Sequence, residues 1–235
     1  MLELTEKRLV SLLWILKNKG RKWNISELRR GAAELFGKDD TVHKQKTPFH
    51  IMDLALTYGP TFTFVKELEK NGYLVKDPKT AEYAVSRAAD LVKLISLARP
   101  FAGLKKQEYY SPFGFAKTMG VIKGAKFPHS FTVFAGSELY AQYVKTEQVH
   151  VYVREADLEK WAKYLLSKNC LKAETGQANL YLIPTKQDVL FRNASNIKGY
   201  SVAPMPVLLS DLLGYGGLAE EQANFLMSAW LSRRA

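Results

Sequence analysis

The sequence predicts an α+β protein in two domains, residues 1–98 and residues 99–235. Three observations carry that reading. The stretch Val65–Ser86, VKELEKNGYLVKDPKTAEYAVS, runs from a short amphipathic helix through an Asn-Gly stop into a hairpin. The segment Arg99-Pro100-Phe101-Ala102-Gly103 breaks a preceding helix and marks a domain boundary. Beyond it, short strand-like runs alternate with helical ones, the pattern of a compact mixed domain.

In the first domain, Thr5 is placed to cap a helix through Lys19, with Leu9, Val10, Leu13, Trp14 and Leu16 as its apolar face. Gly20 ends it, and a second helix, SELRRGAAELFG, closes at Gly37. Residues 38–46 lack periodicity and read as an exposed loop. Thr47-Pro48 signals another helix start, a capping hydroxyl followed by proline. That helix is expected to break at Tyr58-Gly59-Pro60, with a reading helix following within a few residues. Val65 and Leu68 of the reading helix recur at helical spacing. Gly72 supplies the positive φ that stops the helix. Leu74-Val75 and Tyr83–Val85 then flank the turn Asp77-Pro78-Lys79-Thr80. Helix, tight stop and basic hairpin in this order are those of a winged helix-turn-helix. From Ser86, RAADLVKLISLA reads as a further amphipathic helix.

In the second domain, Ser111-Pro112 opens a short helix, Phe131–Gly136 (FTVFAG) reads as a buried strand, and SELYAQYV as a helix after it. Gln148–Glu155 alternates strictly, with Val149, Val151 and Val153 on one face. Asp157–Lys168 reads as a helix and Asn179–Thr185 as a strand. A last strand precedes two helices around Gly214–Gly217.

A formal charge of +11 over 235 residues favours an anionic partner, nucleic acid before membrane. The excess divides into about +5 before Arg99 and about +6 from it onward, so charge alone singles out neither half. Cys170 is the only cysteine, which rules out an internal disulfide and any multi-cysteine metal site. The apolar run Leu9–Leu16 falls far short of the ~20 residues a bilayer span needs, and no signal peptide is visible. The expectation is a cytoplasmic protein with no membrane contact.

Reading duplex DNA requires a helix in the major groove, polar groups on its exposed face and cations for the phosphates. Thr61, Phe62, Thr63, Lys66 and Lys70 are the candidates on the helix, and Lys76 and Lys79 on the hairpin. Phe62 is suited to a thymine methyl. Neutralised phosphates make such binding fall with salt at a slope near −0.9 each. A winged domain that binds protein instead of DNA is the competing reading.

An enzyme is not expected. The strand Gln148–Glu155 after Gly136-Ser137 superficially matches a nucleotidyltransferase core, where alternating carboxylates hold magnesium. His150 and Tyr152 stand at those positions, so any such core is degenerate and non-catalytic. His43, His50, His129 and His150 lack metal-ligand spacing, and no phosphate-loop, dinucleotide or nucleophile-elbow motif occurs. No catalytic residue, metal or cofactor is assigned. Tyr109, Tyr110, Phe113 and Phe115 read as core before a single-stranded nucleic-acid platform with Lys105 and Lys106, and Leu208, Leu209, Leu212 and Leu213 as core before a protein-binding or dimerisation surface.

Three stretches carry a resemblance: FVKELEKNGYLVKDPKTAEYAVS, AGSELYAQYVKTEQVHVYVRE and SVAPMPVLLSDLLGYGGLAEEQANFL. From about Leu54 onward the chain resembles the AbiEi-type antitoxins, winged-helix regulators of type IV toxin–antitoxin systems. The resemblance implies a repressor of its own operon that binds inverted repeats; a palindromic site can be read by a homodimer or by two monomers bound side by side. It also implies a second domain with an antitoxin or effector role, and a separately encoded nucleotidyltransferase-like toxin as a possible partner. The basic insert Lys38–Lys46 and the leucine-rich first helix lie outside the pattern.

Overall fold

The first helix-forming run buries every residue from Leu9 to Leu16, all round the helix, and packs around two tryptophans, Trp14 and Trp23. The computed structural model describes residues 4–36, 56–174 and 176–232. The expected loop at 38–46 and the helix expected after Thr47-Pro48 lie outside those residues, apart from the last residues before Tyr58. The architecture is mixed α+β, and the chain divides into two compact units, with Ala98 in the first and Arg99 opening the second.

In the first unit, α1 (Glu6–Lys17) starts where Thr5 accepts a hydrogen bond from the Arg8 amide. Leu9, Leu12, Ile15 and Leu16 of α1 are fully buried. An extended residue, Trp23, follows and exchanges both backbone hydrogen bonds with Tyr83. Helix α2 (Ile25–Phe36) packs on α1. Gly31 permits this close approach, since a Cβ there would lie 1.8 Å from Trp14 Nε1.

Helix α3 (Tyr58–Lys70) begins at the tripeptide expected to break the chain. Proline is tolerated at Pro60 because the first turn of a helix has no intrahelical acceptor for its amides. Asn71-Gly72 closes α3, with Gly72 at φ 74° and the Tyr73 amide reaching back to the Leu68 carbonyl. Strands β1 (Leu74–Lys76) and β2 (Tyr83–Val85) form an antiparallel hairpin with Leu74 opposite Val85. Helix α4 (Ala88–Ala98) completes the unit and buries Leu91, Val92 and Ile95.

The second unit is built on a seven-stranded mixed sheet. Its strands in chain order are β3 (Gln107–Tyr110), β4 (His129–Thr132), β5 (Val149–Arg154), β6 (Leu171–Lys172), β7 (Leu180–Thr185), β8 (Ser195–Ile197) and β9 (Tyr200–Val202). They lie in the order β6-β3-β7-β5-β4-β9-β8, with β5 parallel to β7 and antiparallel to β4. Five residues of β5 are buried on both faces, so its valine alternation marks one covered face and His150 and Tyr152 fill the other.

The helices are α5 (Phe115–Lys123), α6 (Val133–Tyr140), α7 (Leu158–Ser167), the short α8 (Val189–Arg192), α9 (Met205–Tyr215) and α10 (Leu218–Ser232). The strand expected over Phe131–Gly136 stops at Thr132, because Val133 at φ 48° turns the chain directly into α6. That conformation is uncommon for a β-branched residue and is held here by complete burial of Val133. Gly136 follows from it: a Cβ there would meet the Phe131 carbonyl oxygen at 2.9 Å.

Candidate nucleic-acid interface

Because α3 starts at Tyr58, its inward stripe is Thr61, Phe64, Val65 and Leu68, all buried. Thr61 therefore does not belong to the exposed face. It is 4 % exposed, and its hydroxyl donates to the Thr57 carbonyl at 2.9 Å. The remaining helix candidates do share one face: Phe62 and Thr63 are exposed, Lys66 is half-buried, and Lys70 is exposed at the last turn. Spacings of three and four residues along 59, 62, 63, 66 and 70 place them on a single stripe.

Phe62 stacks on Tyr58 with ring centroids 5.9 Å apart, giving an exposed aromatic pair that periodicity alone does not reveal. The Arg29 guanidinium lies 5.8 Å from the Tyr58 ring and donates to the Leu56 carbonyl, fixing the approach to α3. The Lys66 ammonium hydrogen-bonds Glu69 Oε2 at 2.8 Å and sits 5.8 Å from the Phe62 ring. That bond raises the Lys66 pKa, with the nearby Tyr83 hydroxyl adding to it, so Lys66 carries its full charge where the helix face meets the hairpin. An exposed pair of this kind is weak and screened by salt, and a phosphate can replace the carboxylate.

The hairpin is organised around Asp77. Its backbone is paired with Glu82 and Ala81, its Oδ1 accepts from the Lys79 amide, and its Oδ2 accepts from Lys22 at 2.5 Å. The Lys22 hydrogen bond is the chief cause of a lowered Asp77 pKa. With the acid held this way, Lys76 and Lys79 remain exposed along the hairpin. Sequence spacing does not point to Lys22, because its partner is 55 residues away. The Trp23–Tyr83 bridge and the stacking of those rings at 5.6 Å pin the base of the hairpin to the core.

The second unit holds buried polar groups in place of a recognisable site. Asp211 Oδ1 accepts from Arg99 Nη1 at 2.8 Å, and its Oδ2 accepts from Tyr152 Oη at 2.7 Å and Thr132 Oγ1 at 2.6 Å. Arg99 Nη2 also donates to Tyr152 Oη. Burial pushes the Asp211 carboxyl up and Arg99 pulls it back. Every partner is a donor and arginine does not lose its proton, so the pair is read as ionised. His150 stacks on Tyr181 at 4.6 Å, and its buried Nδ1 has no hydrogen-bond partner. Among the described residues no group of His, Cys, Asp and Glu could hold a metal ion. No helix among them is long and apolar enough to cross a membrane. Cys170 is buried.

No family model, curated protein or solved structure matches this chain.

Proposed function

We propose that this protein is a sequence-specific duplex-DNA-binding transcriptional regulator whose first unit is a winged helix. In this reading α3 enters the major groove and the β1–β2 hairpin is the wing. The observation that carries it is the single exposed face of α3, Phe62, Thr63, Lys66 and Lys70, beside a hairpin presenting Lys76 and Lys79. Element order among the described residues supports it: helix, extended Trp23, helix, then, beyond residues 37–55, reading helix and two-stranded hairpin. Thr63 supplies a hydroxyl for base edges, Phe62 an apolar edge for thymine methyls, and the lysines phosphate contacts.

The role extends, by the family resemblance, to repression of its own operon from inverted repeats in the cytoplasm. The second unit then takes the antitoxin or effector role, with a nucleotidyltransferase-like toxin as its partner.

The test is a fluorescence-anisotropy titration of the duplex upstream of its own gene. Thr63→Ala combined with Lys66→Ala is expected to weaken specific binding by roughly ten- to several-hundred-fold, from about 1–3 kcal/mol per base-reading contact. Lys186→Ala, on the second unit, is expected to change it less than about threefold. Equal losses would place the reading surface elsewhere.

A further inference from the structure

The second unit carries a cationic surface that the proposed reading of α3 leaves unused. From Tyr109 to Ser137 the chain contains Lys117, Lys123 and Lys126 and no acidic residue. Helix α5, which carries the first two, packs beside α7, where the Tyr164 hydroxyl donates to the Val121 carbonyl at 2.7 Å. Gly124 makes room at that contact: a Cβ on it would lie 3.3 Å from Tyr164 Oη. On the α7 side, Lys163 and Lys168 flank Tyr164, and the Lys168 ammonium lies 5.6 Å from its ring.

All five lysines are exposed, and among the described residues none pairs with a carboxylate. The acids of this region, Asp157 and Glu159, sit at the N-terminal end of α7, and Asp157 already pairs with Lys160. Aromatic rings hold three of the ammonium groups in place. Lys117 lies 4.1 Å from the Phe113 ring, Lys123 4.4 Å from the Tyr200 ring, and Lys168 is against Tyr164. Gly199 admits Lys123, whose Nζ lies 2.8 Å from the position a Cβ would take.

We infer that the α5–α7 surface of the second unit binds the phosphate backbone of duplex DNA through Lys117, Lys123, Lys126, Lys163 and Lys168. It reads no bases. The occupant follows from charge and shape: five cations, with Glu159 one turn before Lys163 the only acid on the exposed face of α7, match a polyanion whose phosphates recur along a line. Exposed α5 offers Ala116, Lys117, Gly120 and Lys123 and no large apolar side chain, and on α7 Leu166 is a single exposed one, too little apolar surface to enter a bilayer, which favours nucleic acid over an anionic membrane. The inference rests on the DNA-binding reading above and adds a base-independent share of affinity.

The experiment uses the full chain and a random-sequence duplex of about 40 base pairs, titrated from 50 to 200 mM salt. The variant Lys117→Ala/Lys123→Ala/Lys163→Ala/Lys168→Ala is expected to bind at least tenfold more weakly. Its salt slope should be shallower by about 2 to 4, near 0.9 for each phosphate no longer neutralised. The corresponding Lys→Arg variant keeps the charge and is expected to bind as the parent does, which separates missing charge from faulty folding. The same loss of affinity is expected in the Thr63→Ala/Lys66→Ala background. A quadruple alanine variant within twofold of the parent, with unchanged slope, overturns the inference. So does a loss confined to binding of phosphatidylserine vesicles. If the quadruple variant loses affinity for the random duplex while the α3 variant keeps full affinity for the duplex upstream of the gene, this surface stands and the reading of α3 falls; the converse result spares α3 alone.

Discussion

Asp211→Ala is expected to destabilise the protein by about 3–5 kcal/mol, the usual cost of leaving one member of a buried ion pair without the other. Asp211 is fully buried and accepts from Arg99, Tyr152 and Thr132. Alanine leaves a guanidinium in a dry environment and two hydroxyls without their acceptor. Against a total stability of about 5–15 kcal/mol, the change brings the second unit close to unfolding at 37 °C. A urea titration followed by circular dichroism measures it, and a change below about 1 kcal/mol would contradict the geometry. Asp211→Asn should cost less, because one oxygen remains for Arg99 Nη1. Asp211→Leu with Arg99→Met should recover only part of the loss, because an apolar pair removes both charges from the interior but leaves the buried Tyr152 and Thr132 hydroxyls without their acceptor.

The second large effect is on acid stability. His150 is 1 % exposed, stacked on Tyr181 and edge-on to Phe101, and burial depresses its pKa to about 3, with the Lys106 charge adding to the effect. In the unfolded chain the same imidazole takes a proton near pH 6.5. Between those values the unfolded state binds a proton that the folded state refuses. Stability therefore rises with pH across the window and is lost as pH falls from about 6.5 towards 3. At about 1.4 kcal/mol per pH unit, His150 accounts for about 3 kcal/mol of lost stability between pH 6.5 and pH 4. His150→Phe keeps an aromatic ring against Tyr181 and removes the titration. Its stability relative to the parent should improve by that amount on going from pH 7 to pH 4. A constant difference at the two pH values would mean that His150 accepts a proton in the folded protein. Comparing the two chains cancels the carboxylates that titrate in the same range.

Local features of the fold are legible in the sequence because neighbours in the chain decide them. Thr5 caps α1, Gly72 stops α3 with a positive φ, and Leu74–Lys76 pairs with Tyr83–Val85 across a Pro-containing turn. The α3 face is legible in part. Val65 and Leu68 set the buried stripe, but Thr61 points outward only if Gly59-Pro60 breaks the chain. In the first turn of a helix those residues cost little, and starting at Tyr58 turns Thr61 inward with Phe64. The short strands β3 and β8 offer no run long enough to show a period, although Lys198-Gly199, with both φ values positive, is the turn that joins β8 to β9. Long-range polar contacts are out of reach of such reasoning. Arg99 and Asp211 are 112 residues apart, and no spacing rule connects them. His150 and Tyr152 stand out in the sequence only as the wrong residues for metal chemistry. Their places, one stacked on Tyr181 and the other bonded to Asp211, come from the sheet register.

The central claim is that the first unit binds DNA through α3 and the hairpin. The most direct measurement is a gel-shift titration of the protein against the duplex upstream of its own gene, beside an unrelated duplex, at 50 and 200 mM salt. The predicted result is tighter binding to the upstream duplex, with affinity for both falling steeply as salt rises, at a slope near −0.9 for each phosphate contacted. No binding at 50 mM salt, or binding that salt leaves unchanged, would contradict it.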